Sequence, residues 1–203
     1  MTQLIGLGGV ATSGKDAAAD FLVEHGWFKT YMSKPLERAL LAVNPDVNVA
    51  WDKWQAGTWP KDTLMFTHYI SYKSLHELVG YDVSKCCTSV RGLLQRLGTE
   101  VGRDMIDQNL WVDLAFREVD EHLDAGESVA ITGIRFVNEL EALHGRGGLS
   151  VWVERGLSPV NSHVSDNALT AKDFQVVLSN NGTLEDLKKQ VLALVTTTEE
   201  KAA

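Results

Sequence analysis

A short apolar run over residues 4–8 leads directly into Gly9-Val-Ala-Thr-Ser-Gly14-Lys15-Asp16, and residues 16–23 then carry apolar side chains at helical spacing. Strand, glycine loop and helix in that order open a βαβ unit, which commits the chain to an α/β architecture from its first twenty residues. The loop satisfies GxxxxGK. Glycines let successive backbone N–H groups turn inward around a phosphate, the helix N-terminus adds its dipole, and Lys15 reaches the β and γ phosphates. A structural glycine turn would use the same letters, but the strand-to-helix setting weighs against it. Thr12, Ser13, Gly14, Lys15, Asp16 and Ala17 are therefore the candidate ATP-binding residues. Position 16 holds aspartate where such loops usually carry Ser or Thr for magnesium. Asp16 is thus a candidate Mg2+ ligand, directly or through water, and equally an ordinary anion of a first helical turn.

The remaining pattern extends that opening. A second helix is predicted over 36–43, with Pro35 in its first turn and Pro45 beyond its end. Residues 44–85 include Trp51, Trp54, Trp59, Tyr69, Tyr72 and Tyr81 without a clear period, and read as short helices and loops. Over 90–101, at about 100° per residue, Leu93, Leu94, Leu97 and Val101 share one side of a helix, with Arg91, Gln95, Gly98 and Gly102 opposite. Further helices are predicted over 110–123 and 184–195, strands over 129–134, 150–153 and 174–178, and a frayed tail over 196–203. Strands alternating with helices predict a mostly parallel sheet flanked by helices in a single domain spanning residues 1–203.

Composition narrows the function classes. Nineteen basic against 27 acidic residues give a formal charge of -8, which argues against a broad nucleic-acid-binding face. Cys86 and Cys87 are neighbours without metal-ligand or disulfide-framework spacing, so a reducing, cytoplasmic setting is expected. No stretch has the pattern of a signal peptide or a membrane span, and no membrane partner is expected. The basic residues are unevenly placed: lysine is absent from 86–171, whereas seven of the eight arginines fall there. Planar bidentate donors suit phosphoryl oxygens; of the seven, Arg91, Arg103, Arg135 and Arg155 are the candidate phosphate handlers, while Arg96 is expected to be solvated and Arg117 and Arg146 have no motif support.

SKPLERAL (33–40), RGLLQRLGTEVGRDMIDQNLWV (91–112), ITGIRFVNELEAL (131–143) and NNGTLEDL (180–187) follow the GKD loop in an order that resembles the bacteriophage deoxynucleoside monophosphate kinases. The resemblance covers most of the chain except about 46–85, and its most specific part is LLQRLGTE followed by Arg103 and Trp111. It implies a P-loop kinase fold with a small helical acceptor-binding region over about 36–112 and a lid over about 155–170. It implies a set of dNMP-binding residues: Ala11, Leu36, Arg91, Gly98, Thr99, Arg103, Trp111, Arg135 and Glu139. Arg135, just past a strand end where α/β crevices open, joins Lys15 as a catalytic candidate, and Glu139 is placed to orient it or to touch the acceptor. Arg155 is implied as a lid arginine, and Asn180, Asn181, Gly182 and Thr183 as the turn bordering the adenine, with Asn181 and Gly182 as its ATP-binding candidates. Thr183 with Asp186 also reads simply as a helix cap. Gly133 stands where the family carries an aspartate, which leaves magnesium to Asp16 or to water.

The activity implied is transfer of the γ-phosphoryl of ATP to a deoxynucleoside monophosphate, with Mg2+ and small-molecule nucleotides as partners, in the host cytoplasm if the gene is carried by a phage. Other readings stay open: a different small-molecule P-loop kinase such as one acting on dephospho-coenzyme A, a kinase acting on modified bases in phage DNA, or a nucleotide-binding regulator. Pairing of two copies through an exposed helix also stays open.

Overall fold

In chain order the elements are β1 (Leu4–Gly8), α1 (Lys15–Val23), β2 (Phe28–Tyr31), α2 (Lys34–Val43), β3 (Asp46–Asn48), α3 (Lys61–Leu64), β4 (Tyr69–Ser71) and α4 (Tyr72–Ser84). There follow α5 (Thr88–Gln95), a π-helical segment (Arg96–Ile106), α6 (Leu110–Asp124), β5 (Val129–Ile134), α7 (Val137–His144), β6 (Leu149–Glu154), β7 (Val176–Ser179) and α8 (Leu184–Glu200). This computed structural model describes residues 2–64, 68–156 and 169–200. They form two compact units, Met1–Met32 with Val112–Ala203, and Ser33–Trp111.

The first unit is built on a five-stranded sheet in the order β2-β5-β1-β6-β7, with every pair parallel. All five residues of β1 are buried, because helices cover both faces of the sheet. One face packs Val112, Ala115, Phe116 and Val119 of α6 and Leu140 and Leu143 of α7; the other packs Ala18, Ala19 and Leu22 of α1 and Leu187 and Val191 of α8. A strand buried on both sides reads as a continuous apolar run, which is why β1 and β5 are visible in the letters. Contact is close: a Cβ at Gly6 would lie 2.4 Å from Leu143 Cδ2.

Three boundaries differ from expectation. The edge strand β2 has no counterpart among the predicted strands, since only Thr30 of its four residues is buried and its pairing with β5 sets its conformation. β7 starts at Val176 because Phe174 instead turns its ring against Trp152. α8 continues to Glu200, through residues expected to fray; residues 201–203 lie outside the described residues.

The second unit packs Leu40, Val47, Val49, Trp54, Tyr72, Leu75, Cys87, Val90 and Leu94 into one core beside the antiparallel pair β3-β4. Residues 44–85 hold more regular structure than expected: α4 has thirteen residues, capped by Ser71, whose Oγ accepts from Ser74 N–H at 3.2 Å. Its period is hard to see because Gly80, at φ 75°, breaks it. The helix predicted over 90–101 also differs. From Arg96 it widens to i→i+5 bonding, so each residue advances by less than 100°. Val101, expected to pack, is exposed, and Gly102, expected on the polar side, is buried.

Candidate functional site

The loop Gly9–Gly14 joins β1 to α1 at the C-terminal edge of the sheet, where ligand crevices of α/β folds open. Positive φ angles at Gly9 (143°), Thr12 (63°) and Gly14 (100°) curl it back on itself. Ser13 N–H donates to Val10 O at 3.1 Å, closing the curl. Lys15 is the first residue of α1 and is buried, with its Nζ 3.4 Å from Val10 O, so the ammonium lies across the loop. Ala11 and Thr12 are exposed at the loop's outer turn, Ala17 is half-buried, and Thr12 Oγ1 donates to Ala11 O at 2.6 Å. Ser13 is wholly buried, and its Oγ has no hydrogen-bond partner among the described residues.

A cleft beside the loop is lined by Gly9, Val10, Ala11, Ile134, Arg135, Trp152 and Leu169. Arg135 is exposed at the end of β5, and the turn that carries it is held from behind. Glu139, 4% exposed in the first turn of α7, accepts from Arg135 N–H at 2.6 Å and Phe136 N–H at 3.1 Å through Oε2. A carboxylate taken from water is compensated here by two charge-assisted backbone bonds. Gly133 occupies a bulge in β5, where the pairing with β1 skips from Thr132 to Ile134. Its φ of 86° belongs to the left-handed region that favours glycine.

Asn180 is the first residue of the turn expected beside the adenine, and its contact with the glycine loop has no local signal in the sequence. Directly after β7, it is buried and donates from Nδ2 to Ser13 O at 2.8 Å. Its neighbour Asn181 accepts from Gly156 N–H at 2.8 Å, which ties this turn to the residue after Arg155. Arg155 and Gly182 are exposed. Thr183 and Asp186 form the reciprocal cap of α8, with Asp186 N–H donating to Thr183 Oγ1 at 3.2 Å. The hydrogen bonds from Thr183 hold the Asp186 carboxyl below the usual carboxylate range. Most of the expected lid, residues 157–168, lies outside the described residues.

In the second unit the wide helix gathers several of the remaining candidates. Trp111 Nε1 donates to Gly98 O at 2.8 Å, and its ring lies where a Cβ on Gly102 would be, 2.2 Å from Nε1. Leu36 packs on Gly98, its Cδ2 3.1 Å from a Cβ placed there. Thr99 is exposed and Arg103 half-buried on the same segment; Arg91 is half-buried one element earlier, on α5.

For a divalent cation, the described residues hold no group of three or more His, Cys, Asp or Glu side chains. Magnesium at phosphoryl-transfer sites needs fewer protein ligands, commonly one or two carboxylates with phosphates and water. The exposed carboxylate of Asp16, one residue after Lys15, fits that role. No described helix is long and apolar enough to cross a membrane.

Comparison with known proteins gives a family model, deoxynucleotide monophosphate kinase, that matches residues 55–191. The deoxynucleotide monophosphate kinase of Escherichia phage RB69 is 28% identical over 105 residues, covering 51% of this chain and 43% of its own length, so the match spans less than half of that relative. A putative deoxynucleotide monophosphate kinase of Acanthamoeba polyphaga mimivirus is 25% identical over 205 residues, with 95% of each chain covered. Among solved structures, dephospho-CoA kinase from Campylobacter jejuni superposes with a TM-score of 0.50 at 11% identity, covering 97% of each chain, a likeness of fold. The mostly parallel sheet flanked by helices is that of the P-loop kinases.

Proposed function

Because this chain belongs to the deoxynucleotide monophosphate kinase family, we propose that it transfers the γ-phosphoryl of ATP to the 5′-phosphate of a deoxynucleoside monophosphate, giving a diphosphate and ADP. The observation that carries this reading is the buried Lys15 folded across a glycine loop, with Arg135 at the lip of the adjoining cleft. Fold and family both support small-molecule kinase activity of the P-loop class, and the identity of the acceptor is the finer part of the proposal.

Phosphoryl transfer asks mainly for positioning and charge stabilisation. In the proposed roles, Lys15 and the backbone N–H groups of the loop hold the donor phosphates, while Arg135 neutralises charge on the group in transit. Glu139 keeps the Arg135 turn in place through its backbone bonds. Asp16 would hold magnesium, which supplies charge neutralisation of the phosphate oxygens when bound. Leu36, Arg91, Gly98, Thr99, Arg103 and Trp111 are proposed for the acceptor on the strength of the family resemblance, as is Ala11. Arg155, Asn181 and Gly182 are proposed for the adenosine end of the donor. No general base is needed, because the second pKa of a phosphate monoester is about 6 and the attacking oxygen is already anionic at neutral pH.

The test is ADP release with dAMP, dGMP, dCMP, dTMP, their ribose counterparts and dephospho-coenzyme A. Stimulation by at least one deoxynucleoside monophosphate, above the ATP-only rate, is expected. Stimulation by dephospho-coenzyme A alone assigns a different P-loop kinase, and tight triphosphate binding with no acceptor-stimulated turnover assigns a regulator.

A further inference from the structure

One long-range side-chain contact of the phosphate loop comes from Asn180, in the turn that the family resemblance places beside the adenine. Asn180 leaves β7, and its backbone N–H donates to Glu154 O at 2.7 Å, pinning it to the end of β6. From there its buried side chain reaches the loop, Nδ2 donating to Ser13 O at 2.8 Å across 167 residues of sequence. A peptide unit is planar and trans, so the carbonyl of one residue and the N–H of the next point in opposite directions. Holding the Ser13 carbonyl therefore aims Gly14 N–H away from Asn180. The fit is tight on both sides: Gly14 has φ 100°, and a Cβ there would lie 2.2 Å from Asn180 Nδ2.

We propose that Asn180 is a positioning residue of the phosphate loop, fixing the Ser13–Gly14 peptide so that Gly14 N–H is presented to a donor phosphate. A peptide next to glycine flips easily when nothing holds it, because glycine accepts positive and negative φ about equally. Asn180 removes that freedom before the nucleotide arrives, and preorganised donors are worth more than those that must reorient. This assignment gives the residue before Asn181 and Gly182 a task separate from theirs: Asn180 acts on the phosphates, its neighbours on the adenosine end. The inference rests on the phosphate-binding reading of the loop but not on which acceptor is used.

The decisive variants are Asn180→Asp, which keeps the shape but sets a carboxylate against the Ser13 carbonyl, and Asn180→Ala, which removes the donor. Calorimetric titration with inorganic tripolyphosphate, ADP and adenosine separates phosphate from base. With the fold verified by circular dichroism, tripolyphosphate and ADP are expected to weaken about tenfold or more in Asn180→Asp, the equivalent of one lost hydrogen bond to a charged group. Adenosine affinity should change less than about twofold, and Asn180→Ala should fall between the unmodified protein and Asn180→Asp. Unchanged tripolyphosphate binding, or an equal loss for adenosine, overturns the proposal. Should neither variant fold, the unmodified protein still tests it: tripolyphosphate must move the Gly14 amide resonance, and an unmoved Gly14 overturns the assignment. Failure of the acceptor reading would look different, as absent acceptor-stimulated turnover with tripolyphosphate binding intact.

Discussion

Lys15 is the one basic side chain that the structure buries within the glycine loop itself. Lys15→Ala is therefore expected to lower kcat by about 100-fold or more, the scale for losing one preorganised electrostatic contact, with the acceptor KM within about twofold. Arg91→Ala is expected to do the reverse, raising the acceptor KM well above any change in the ATP KM; equal effects on both substrates would contradict the proposed division of roles. Gly133 carries a prediction about stability. A side chain at φ 86° costs about 1–2 kcal/mol, so urea unfolding of Gly133→Ala should show that loss, and an unchanged midpoint would contradict the bulge geometry. Residues differ in how legible they were. Lys15 and Arg135 sit in local motifs, so their places in the loop and at the strand end could be read from their neighbours, whereas the contact of Asn180 with Ser13 could not, because the two are 167 residues apart. Arg146, one of the seven arginines in the lysine-free block, is engaged elsewhere: it pairs with Asp120 through two nitrogens at 2.6 and 2.9 Å and lies over the Phe116 ring.

The π-helical segment is the element where the sequence misled most, and the reason is physical. A 100° count assumes i→i+4 bonding, and eleven residues of wider turn rotate every later side chain off its expected face. Trp111 takes part in holding that geometry. Trp111→Phe keeps most of the ring but removes the indole hydrogen bond to the Gly98 carbonyl, at a cost of about 1 kcal/mol. The acceptor KM should rise with the ATP KM unchanged; an unaltered acceptor KM would separate the segment from acceptor binding. On α4, Tyr81 donates to Ser33 Oγ at 3.2 Å. Burial pushes its phenol up to about 12, with the Ser33 hydrogen bond opposing and Glu37 adding to the shift. The folded chain therefore keeps a proton there that the unfolded chain, with a phenol near 10, has given up. That contribution to stability is whole below pH 10 and is lost as pH rises through 12. Tyr81→Phe should flatten the decline of unfolding free energy between pH 10 and 12, and an identical decline would contradict the assignment.

Across the whole molecule, the legible part is the unit whose order is repetitive. Buried parallel strands alternate with helices that cover them, and that alternation survives in the letters at β1, β5 and β6. The second unit was opaque because its core draws single residues from many short elements, including Val47, Trp54, Tyr72 and Val90, so no window of sequence shows a period. Its aromatic density separates into buried Trp54 and Tyr72 and exposed Trp51 and Tyr69, a difference that composition alone does not carry. The acidic balance of the chain describes its surface, while Lys15 and Arg135 belong to the loop and its cleft. In the proposed reaction these groups move a phosphoryl unit from a triphosphate to a nucleotide acceptor. Its most direct test follows the label of γ-32P ATP in the presence of each deoxynucleoside monophosphate. Labelled deoxynucleoside diphosphate formed one for one with ADP is expected; label recovered only as inorganic phosphate, at a rate no acceptor changes, would contradict phosphoryl transfer to the nucleotide.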